Sequence, residues 1–327
     1  MSDRISFAGA EASFAPLGVG TWAWGDRSTW GMGGYDASLN EATIAEAWTT
    51  SIEAGVTLFD TAEVYGDGES ERIIGRLLAA EPTARSRVVI ATKFMPSPWK
   101  LRVGPALRAA AVASLDRLGI ERIDLYQIHG PVSLRGHAAL ADALAAVHDE
   151  GLVGAVGVSN YSEREMRSIH RELASRGVPL AANQIECSLL RRRPETSGLL
   201  RACAELGVVA LAYSPIGQGR LTGKYSAANP PPGRRTFSAH PMEQVDRIVA
   251  ELVRIGDAHD GRTPAQVALR WLIEKGTVPI PGAKNAAQAA QNAGALGWSL
   301  DAGDLAALDA IALEGTRTLQ QRVWQHG

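Results

Sequence analysis

Short apolar runs, nearly all closing on a polar side chain, recur along the chain: TLFD at 57–60, VVIATK at 88–93, IDLYQIH at 123–129, VGAVGVSN at 153–160, AANQIE at 181–186, VVALAYS at 208–214 and VPIPG at 278–282. They are too short for helices and rich in Val and Ile, which predicts strands buried on both faces. Stretches of helical spacing lie between them. Leu107, Ala111, Leu115 and Leu118 make one apolar stripe that ends at Gly119, and Val267, Leu269, Trp271 and Leu272 follow the cap and first-turn pair Thr263–Pro264. Two further helix starts are read at Ser70–Glu71 and Ser162–Glu163. Regular alternation of strand and helix implies a parallel sheet with right-handed crossovers. The strand-end residues Asp60, Lys93, His129, Ser159, Gln184 and Tyr213 stand 33, 36, 30, 25 and 29 residues apart, each the length of one strand–helix unit. Leu17–Thr21 in front and VPIPG behind bring the strands to eight, which closes a (β/α)8 barrel of the TIM type. The expectation is one barrel domain over 1–327, with a short β-hairpin before Leu17 plugging the amino end and a mobile Pro/Gly/Ser-rich loop at 226–238.

Composition narrows the class of protein. Of 327 residues, 46% are hydrophobic and 21% charged, enough apolar mass for a large core and too little charge for a disordered chain. Lys and Arg number 33 against 35 Asp and Glu, a formal charge of −2. The basic excess that grips a phosphate backbone is missing, which argues against nucleic acid as a partner. No window reaches the ~18 uncharged apolar residues of a membrane helix, and MSDRISFAGAEASF lacks the apolar stretch of a signal peptide. Cys187 and Cys203 cannot staple a chain of this size and lack Cys-x-x-Cys spacing. They read as buried small side chains in a protein of the reducing cytoplasm, where the sequon Asn160-Tyr161-Ser162 is accidental.

In such barrels the chemistry collects at the carboxyl ends of the strands, where Asp60, Lys93, His129 and Asn160 fall. Singly, each has a plain explanation: a helix cap, a solvated lysine, a hydrogen-bonded histidine. Together they place an acid, a cation and an imidazole at one mouth, and Tyr65, five residues beyond Asp60, can turn its phenol into it. Four titratable groups in one bowl suggest tuned proton transfer. A free phenol titrates near ~10, too high for a useful acid and base near neutrality. A neighbouring ammonium favours phenolate, and Lys93, paired with Asp60, can be that ammonium. His129 would orient a carbonyl oxygen. Such an assembly protonates an oxygen while a hydride reaches the adjacent carbon, and since no side chain supplies hydride, a cofactor must.

These residues sit in stretches that resemble the aldo-keto reductase superfamily over essentially the whole chain: GVTLFDTAEVYGDGESERIIG at 55–75, VVIATK at 88–93, IDLYQIHG at 123–130, GVSNYS at 157–162, NQIECSLL at 183–190, LAYSPIGQGRLTGKY at 211–225 and IPGAKNAAQAAQNAGAL at 280–296. The resemblance implies that Asp60, Tyr65, Lys93 and His129 form the family's tetrad. Tyr65 would be the proton donor in reduction, Lys93 would lower its pKa, Asp60 would hold Lys93, and His129 would position the substrate carbonyl. It also implies a nicotinamide carboxamide held by Ser159, Asn160 and Gln184 with the ring stacked on Tyr213. The pyrophosphate would lie under Ser214, Pro215, Ile216, Gly217, Gln218, Gly219 and Leu221, assisted by Lys224, where glycines let N–H groups approach phosphate closely. Gly20, Thr21 and Trp22, with Asp60, are counted in the same cofactor set. The turn Gly282, Ala283 and Lys284 and the helix carrying Gln288, Gln291 and Asn292 resemble an adenosine site. A lysine beside the ribose favours NADPH over NADH. Many family members place a Lys at the position of Gly282 and an Arg at that of Gln288, so Lys284 carries most of that discrimination here. The opening GVGTWAWGDRSTWGMGGYD at 18–36 resembles a branch that includes pyridoxal reductases. The implied function is reversible reduction of a small aldehyde or ketone to an alcohol. The alternative within the superfamily is an NADPH-binding regulatory or sensing barrel, as potassium-channel β subunits are.

Trp22, Trp24, Trp30 and Trp99 read as walls of an aromatic substrate pocket beside His129. Gly18-x-Gly20-x-x-Ala23 fits a dinucleotide fingerprint superficially, but Trp24-Gly25-Asp26 stands where a helix would open. The seven histidines show neither His-x-His nor His-Glu-x-x-His, so no metal site is expected, and none of the six tyrosines provides the Tyr-x-x-x-Lys of a short-chain dehydrogenase. The run Arg191-Arg192-Arg193 reads as a solvated loop leading into Pro194, or else as a site for an anionic partner. The tail RTLQQRVWQHG is placed to fold over the mouth, and no periodic exposed apolar face marks an oligomer interface.

Overall fold

The computed structural model describes residues 4–10, 12–26, 36, 38–232, 240–316 and 318–327. An antiparallel hairpin, β1 (Ile5–Ser6) and β2 (Ser13–Phe14), opens the chain. Eight parallel strands follow: β3 (Gly18–Gly20), β4 (Leu58–Asp60), β5 (Val89–Phe94), β6 (Ile123–Ile128), β7 (Val153–Ser159), β8 (Leu180–Glu186), β9 (Val209–Tyr213) and β10 (Thr277–Pro279). Each pairs with its neighbour in chain order, with helices between. The bridge Gly20–Gly282, where the Gly20 amide donates to the Pro281 carbonyl at 3.0 Å, joins the first strand to the last and makes the sheet a barrel. A side chain on Gly20 would place its Cβ 2.9 Å from the Ile280 carbonyl oxygen, so glycine is what lets the two edges meet. That is the use of Gly20; a single helical turn does open at Trp22–Gly25, contrary to the reading of that stretch, but it ends at once.

Strand limits differ from the expected runs by one to three residues, with local causes. VPIPG shrinks to Thr277–Pro279 because Pro279 and Pro281 lack the amide hydrogen a ladder needs. β7 stops at Ser159 because Asn160 turns into the left-handed region at φ 65°. The helices capped by Ser162 and Thr263 start where expected, each with a reciprocal capping box. The helix read from Ser70 starts at Glu69, and the Ser70 hydroxyl does not cap it. That hydroxyl is engaged instead by Thr21 Oγ1 at 2.7 Å and Thr61 Oγ1 at 2.8 Å, which ties the β3 and β4 loops together.

Alternation along the strands makes two apolar shells. Phe59, Ile90, Tyr126 and Val156 point outward into the layer beneath the helices, where Leu107, Ala111, Leu115 and Leu118 meet them. Leu58, Val89, Ala91, Leu125, Ala155, Leu211 and Val278 point inward, and Phe7 and Phe14 of the hairpin pack under them with ring centroids 4.8 Å apart. The hairpin therefore closes the amino end. Cys187 and Cys203 are buried, and burial pushes both thiols up to about 12. Among the described residues no helix is long and apolar enough to cross a membrane.

Candidate active site

The parity that fills the barrel also sets a polar layer on top of it. Two residues beyond the inward Leu58, Ala91 and Leu125 come Asp60, Lys93 and Gln127. Asp60 Oδ2 accepts from Lys93 Nζ at 2.6 Å, and its Oδ1 accepts from Gln184 Nε2 at 2.8 Å and Gln127 Nε2 at 3.3 Å. All four side chains are buried. Lys93 Nζ donates further to the Thr61 carbonyl at 2.7 Å and to the Tyr65 phenol oxygen at 3.3 Å. An ammonium has three hydrogens, and each now has an acceptor. Since the phenol oxygen accepts from Lys93, the phenol's own hydrogen points elsewhere, and Tyr65 borders an open cavity.

Electrostatics separate these groups. Burial, the largest single influence, works against the Lys93 charge, but the Asp60 carboxylate and the Tyr65 oxygen together outweigh it and the ammonium is held above its usual range. Burial likewise pushes the Tyr65 phenol above 10, and the opposing pull of Lys93 does not offset it. This corrects the expectation of a lowered phenol pKa. Lys93 acts in the expected direction, but Asp60 cancels part of its field and the desolvation of a buried phenolate is larger. His129 stands edge-on to Tyr65, centroids 5.8 Å apart. Burial first, and the Lys93 charge second, hold it well below 6.5, so the imidazole is neutral. Its buried Nδ1 has no hydrogen-bond partner among the described residues.

Above this layer lies a cavity of about 700 Å³, within the range of small-molecule sites. Trp22, Val64, Tyr65, His129 and Trp324 wall one end, and Ser159, Asn160, Gln184 and Tyr213 form its middle. Ser214, Pro215, Ile216, Gln218, Gly219 and Lys224 continue it, and Gly282, Lys284, Gln288, Gln291 and Asn292 close the far end. Of the five described non-glycine residues with positive φ, three are here: Asn160, Ser214 at φ 52° and Gln218 at φ 58°. Such conformations are held only where the surroundings enforce them, and they cluster at ligand sites. Both polar atoms of the Gln218 amide are buried without a partner. Lys284 Nζ lies 3.3 Å from Asp36 Oδ2.

The sequence profile of the aldo/keto reductase family matches residues 16–313. The chain belongs to the aldo/keto reductase family. It is 38% identical over 324 residues to the chloroplastic pyridoxal reductase of Arabidopsis thaliana, covering 96% of this chain and 87% of that protein. Among solved structures, the glycerol dehydrogenase of Gluconobacter oxydans superposes with a TM-score of 0.82 at 28% identity, over 97% of this chain and 98% of that one. An aldo/keto reductase from Klebsiella pneumoniae in complex with NADP and acetate superposes with a TM-score of 0.76 at 26% identity, over 97% and 98% of the two chains.

This aldo/keto reductase brings Asp60, Tyr65, Lys93 and His129 together as described, and most of the expected cofactor residues line one cavity. The exceptions are buried residues behind it. Gly217, Leu221 and Ala283 pack into the core beneath the loops they were read from. Two tryptophans are displaced from the expected substrate wall. Trp24 is fully buried, its Nε1 donating to the Ala283 carbonyl at 2.8 Å and its ring packed near Phe59, because one helical turn cannot present both Trp22 and Trp24 to the same side. Trp99 is 78% exposed on the loop after β5, away from the cavity. Trp30 and positions 233–238 of the Pro/Gly/Ser-rich loop lie outside the described residues. The arginine run is neither solvated nor open to a partner at its first member: Arg191 is buried and donates to the Gly327 carbonyl at 2.6 Å, while Arg192 bonds Glu195. Gln127 and Trp324 were missed. The first could have been found by counting in steps of two from Leu125; the second lies in a six-residue helix too short to show a period.

Proposed function

We propose that this aldo/keto reductase reduces an aldehyde or ketone to an alcohol with NADPH as hydride source and Tyr65 as general acid. One observation supports this above the others: every hydrogen of the Lys93 ammonium is committed, one of them to the Tyr65 oxygen, so the phenol's proton is the one left facing the cavity. The residues fit a dinucleotide. The unpartnered Gln218 amide and the enforced left-handed turns at Asn160, Ser214 and Gln218 are what a loop shaped for a ligand would carry. Ser159, Asn160, Gln184 and Tyr213 would hold the nicotinamide, residues 214–224 the pyrophosphate, and Lys284, Gln288, Gln291 and Asn292 the adenosine. When bound, the group supplies hydride to the carbonyl carbon.

The chain's own residues do the rest. The neutral His129 imidazole donates one hydrogen bond to the carbonyl oxygen and holds it against the phenol. Tyr65 releases its proton to that oxygen, and Lys93 steadies the phenolate left behind while Asp60 keeps the ammonium charged and aimed. The rings of Trp22 and Trp324 line the cavity beside Tyr65 and His129, and with the likeness to a plant pyridoxal reductase they favour a planar, aromatic carbonyl substrate. NADPH oxidation measured against pyridoxal, aromatic aldehydes, methylglyoxal and simple ketones tests the reading. Tyr65→Phe is expected to lower kcat by at least ~10²-fold with little change in cofactor affinity. Retained reduction would contradict the role of Tyr65, and a single turnover followed by stalling would favour the sensing barrel.

A further inference from the structure

The last residues of the chain reach the middle of the cavity, and they do so through hydrogen bonds whose direction is fixed. Gln325, buried, places its Nε2 2.7 Å from the Tyr213 hydroxyl, and that hydroxyl lies 2.8 Å from Asn160 Oδ1. Asn160 Nδ2 is engaged by the His129 carbonyl at 3.3 Å and by Ser159 Oγ at 3.1 Å, and Ser159 Oγ donates to the Gln184 carbonyl at 2.9 Å. With its nitrogen so committed, Asn160 offers Tyr213 only an acceptor. The single hydrogen of the Tyr213 hydroxyl must go to Asn160, so the hydroxyl can only accept from Gln325. The His326 amide fixes the same Asn160 from its backbone, donating to its carbonyl at 3.1 Å, and the His326 ring meets Glu165 at 2.9 Å.

We infer that Gln325 is a positioning residue for the cofactor. Its amide matches and locks the polarity that Asn160 imposes, completing a one-way chain, Gln325 to Tyr213 to Asn160 to Ser159 to Gln184, which presents the Tyr213 ring and the Asn160 amide in the orientation that receives a nicotinamide. The inference rests on the reading of Ser159, Asn160, Gln184 and Tyr213 given under the proposed function, and it adds a residue that touches neither cofactor nor substrate. It predicts that an acceptor at position 325 reverses the Tyr213 hydroxyl and strips Asn160 of its donor, whereas an apolar side chain of similar size merely ends the chain one link early.

The test compares Gln325→Glu with Gln325→Met. In the cofactor-free protein, the Asn160 side-chain amide signals in ¹H–¹⁵N spectra are expected to shift with Gln325→Glu and to move little with Gln325→Met. Dissociation constants for NADPH and NADP⁺, followed by fluorescence, are expected to rise about tenfold or more with Gln325→Glu and about two- to threefold with Gln325→Met. Both oxidation states weaken, because the effect is one of orientation; a carboxylate acting by charge alone would tighten NADP⁺ and weaken NADPH, and that result would overturn the inference. Acidification that protonates the introduced carboxyl restores a donor and recovers affinity. Added to Tyr213→Phe, Gln325→Glu is expected to cost almost nothing more. Equal effects of Glu and Met, or full additivity with Tyr213→Phe, would overturn the inference. If the Asn160 signals respond as expected while wild type binds neither NADPH nor NADH, the hydrogen-bond polarity stands and the nicotinamide reading fails.

Discussion

His129 shows how one buried ring couples reactivity to stability. Its folded-state pKa lies well below 6.5, chiefly through burial. Above about 6.5 both folded and unfolded chains carry it neutral and its contribution is intact. As the pH falls between that value and the folded pKa, the unfolded chain binds a proton that the folded chain refuses, and stability drops by up to about 1.4 kcal/mol per pH unit. Urea unfolding across this window is expected to show a shallower acid slope for His129→Asn; an identical slope would mean that the ring is not held neutral. At the other end of the cavity, Asp36 occupies Lys284. Asp36→Asn is expected to tighten NADPH by about two- to fivefold, and Lys284→Ala to weaken NADPH more than NADH; equal weakening of both would remove Lys284 as the 2′-phosphate contact. The meeting of Asp60, Lys93 and His129 was legible because each stands within one residue of a strand end, where a barrel collects its chemistry. Gln127 was not, because a polar residue inside an apolar strand declares its side only once the inward parity is known. The direction of the Tyr65 pKa was misread for a related reason: the sequence shows the Lys93 charge but not the depth of burial.

At the scale of elements, the hairpin has no part in the chemistry, yet it seals one end of the barrel through Phe14, fully buried, and Phe7. Phe14→Ala is expected to cost about 3 to 5 kcal/mol in denaturant unfolding with cofactor affinity unchanged. A loss under ~1 kcal/mol would mean that the barrel floor supports itself. The strands could be read because short apolar runs closing on polar residues recur regularly, and the helix starts at Ser162 and Thr263 because their caps announce themselves. The Leu319–Trp324 helix could not. Its only sequence sign is the capping pair Thr318 and Gln321, and its bearing on function rests on Trp324, which meets His129 edge-on with ring centroids 5.6 Å apart. Gly130 admits that ring: a Cβ there would lie 2.9 Å from the Trp324 six-membered ring.

The whole molecule is a stack of layers along the barrel axis: phenylalanine floor, aliphatic filling, charged layer, open cavity. The number of layers follows from the strand alternation and could be anticipated; which residues face one another across the cavity depends on loop paths that no periodicity encodes. The cavity also crosses the place where the barrel is closed. Gly20 and Gly282, which form the closing bridge, both border it. A dinucleotide lying there would span the junction of first and last staves like a clasp, so occupancy is expected to slow deuterium uptake at the Gly20 amide more than at amides of β6 or β7, which are paired on both sides. The first event of thermal unfolding is then expected to be the parting of that junction, and a nicotinamide dinucleotide bound there would act as a fastener whose removal leaves a barrel that begins to open along a known line.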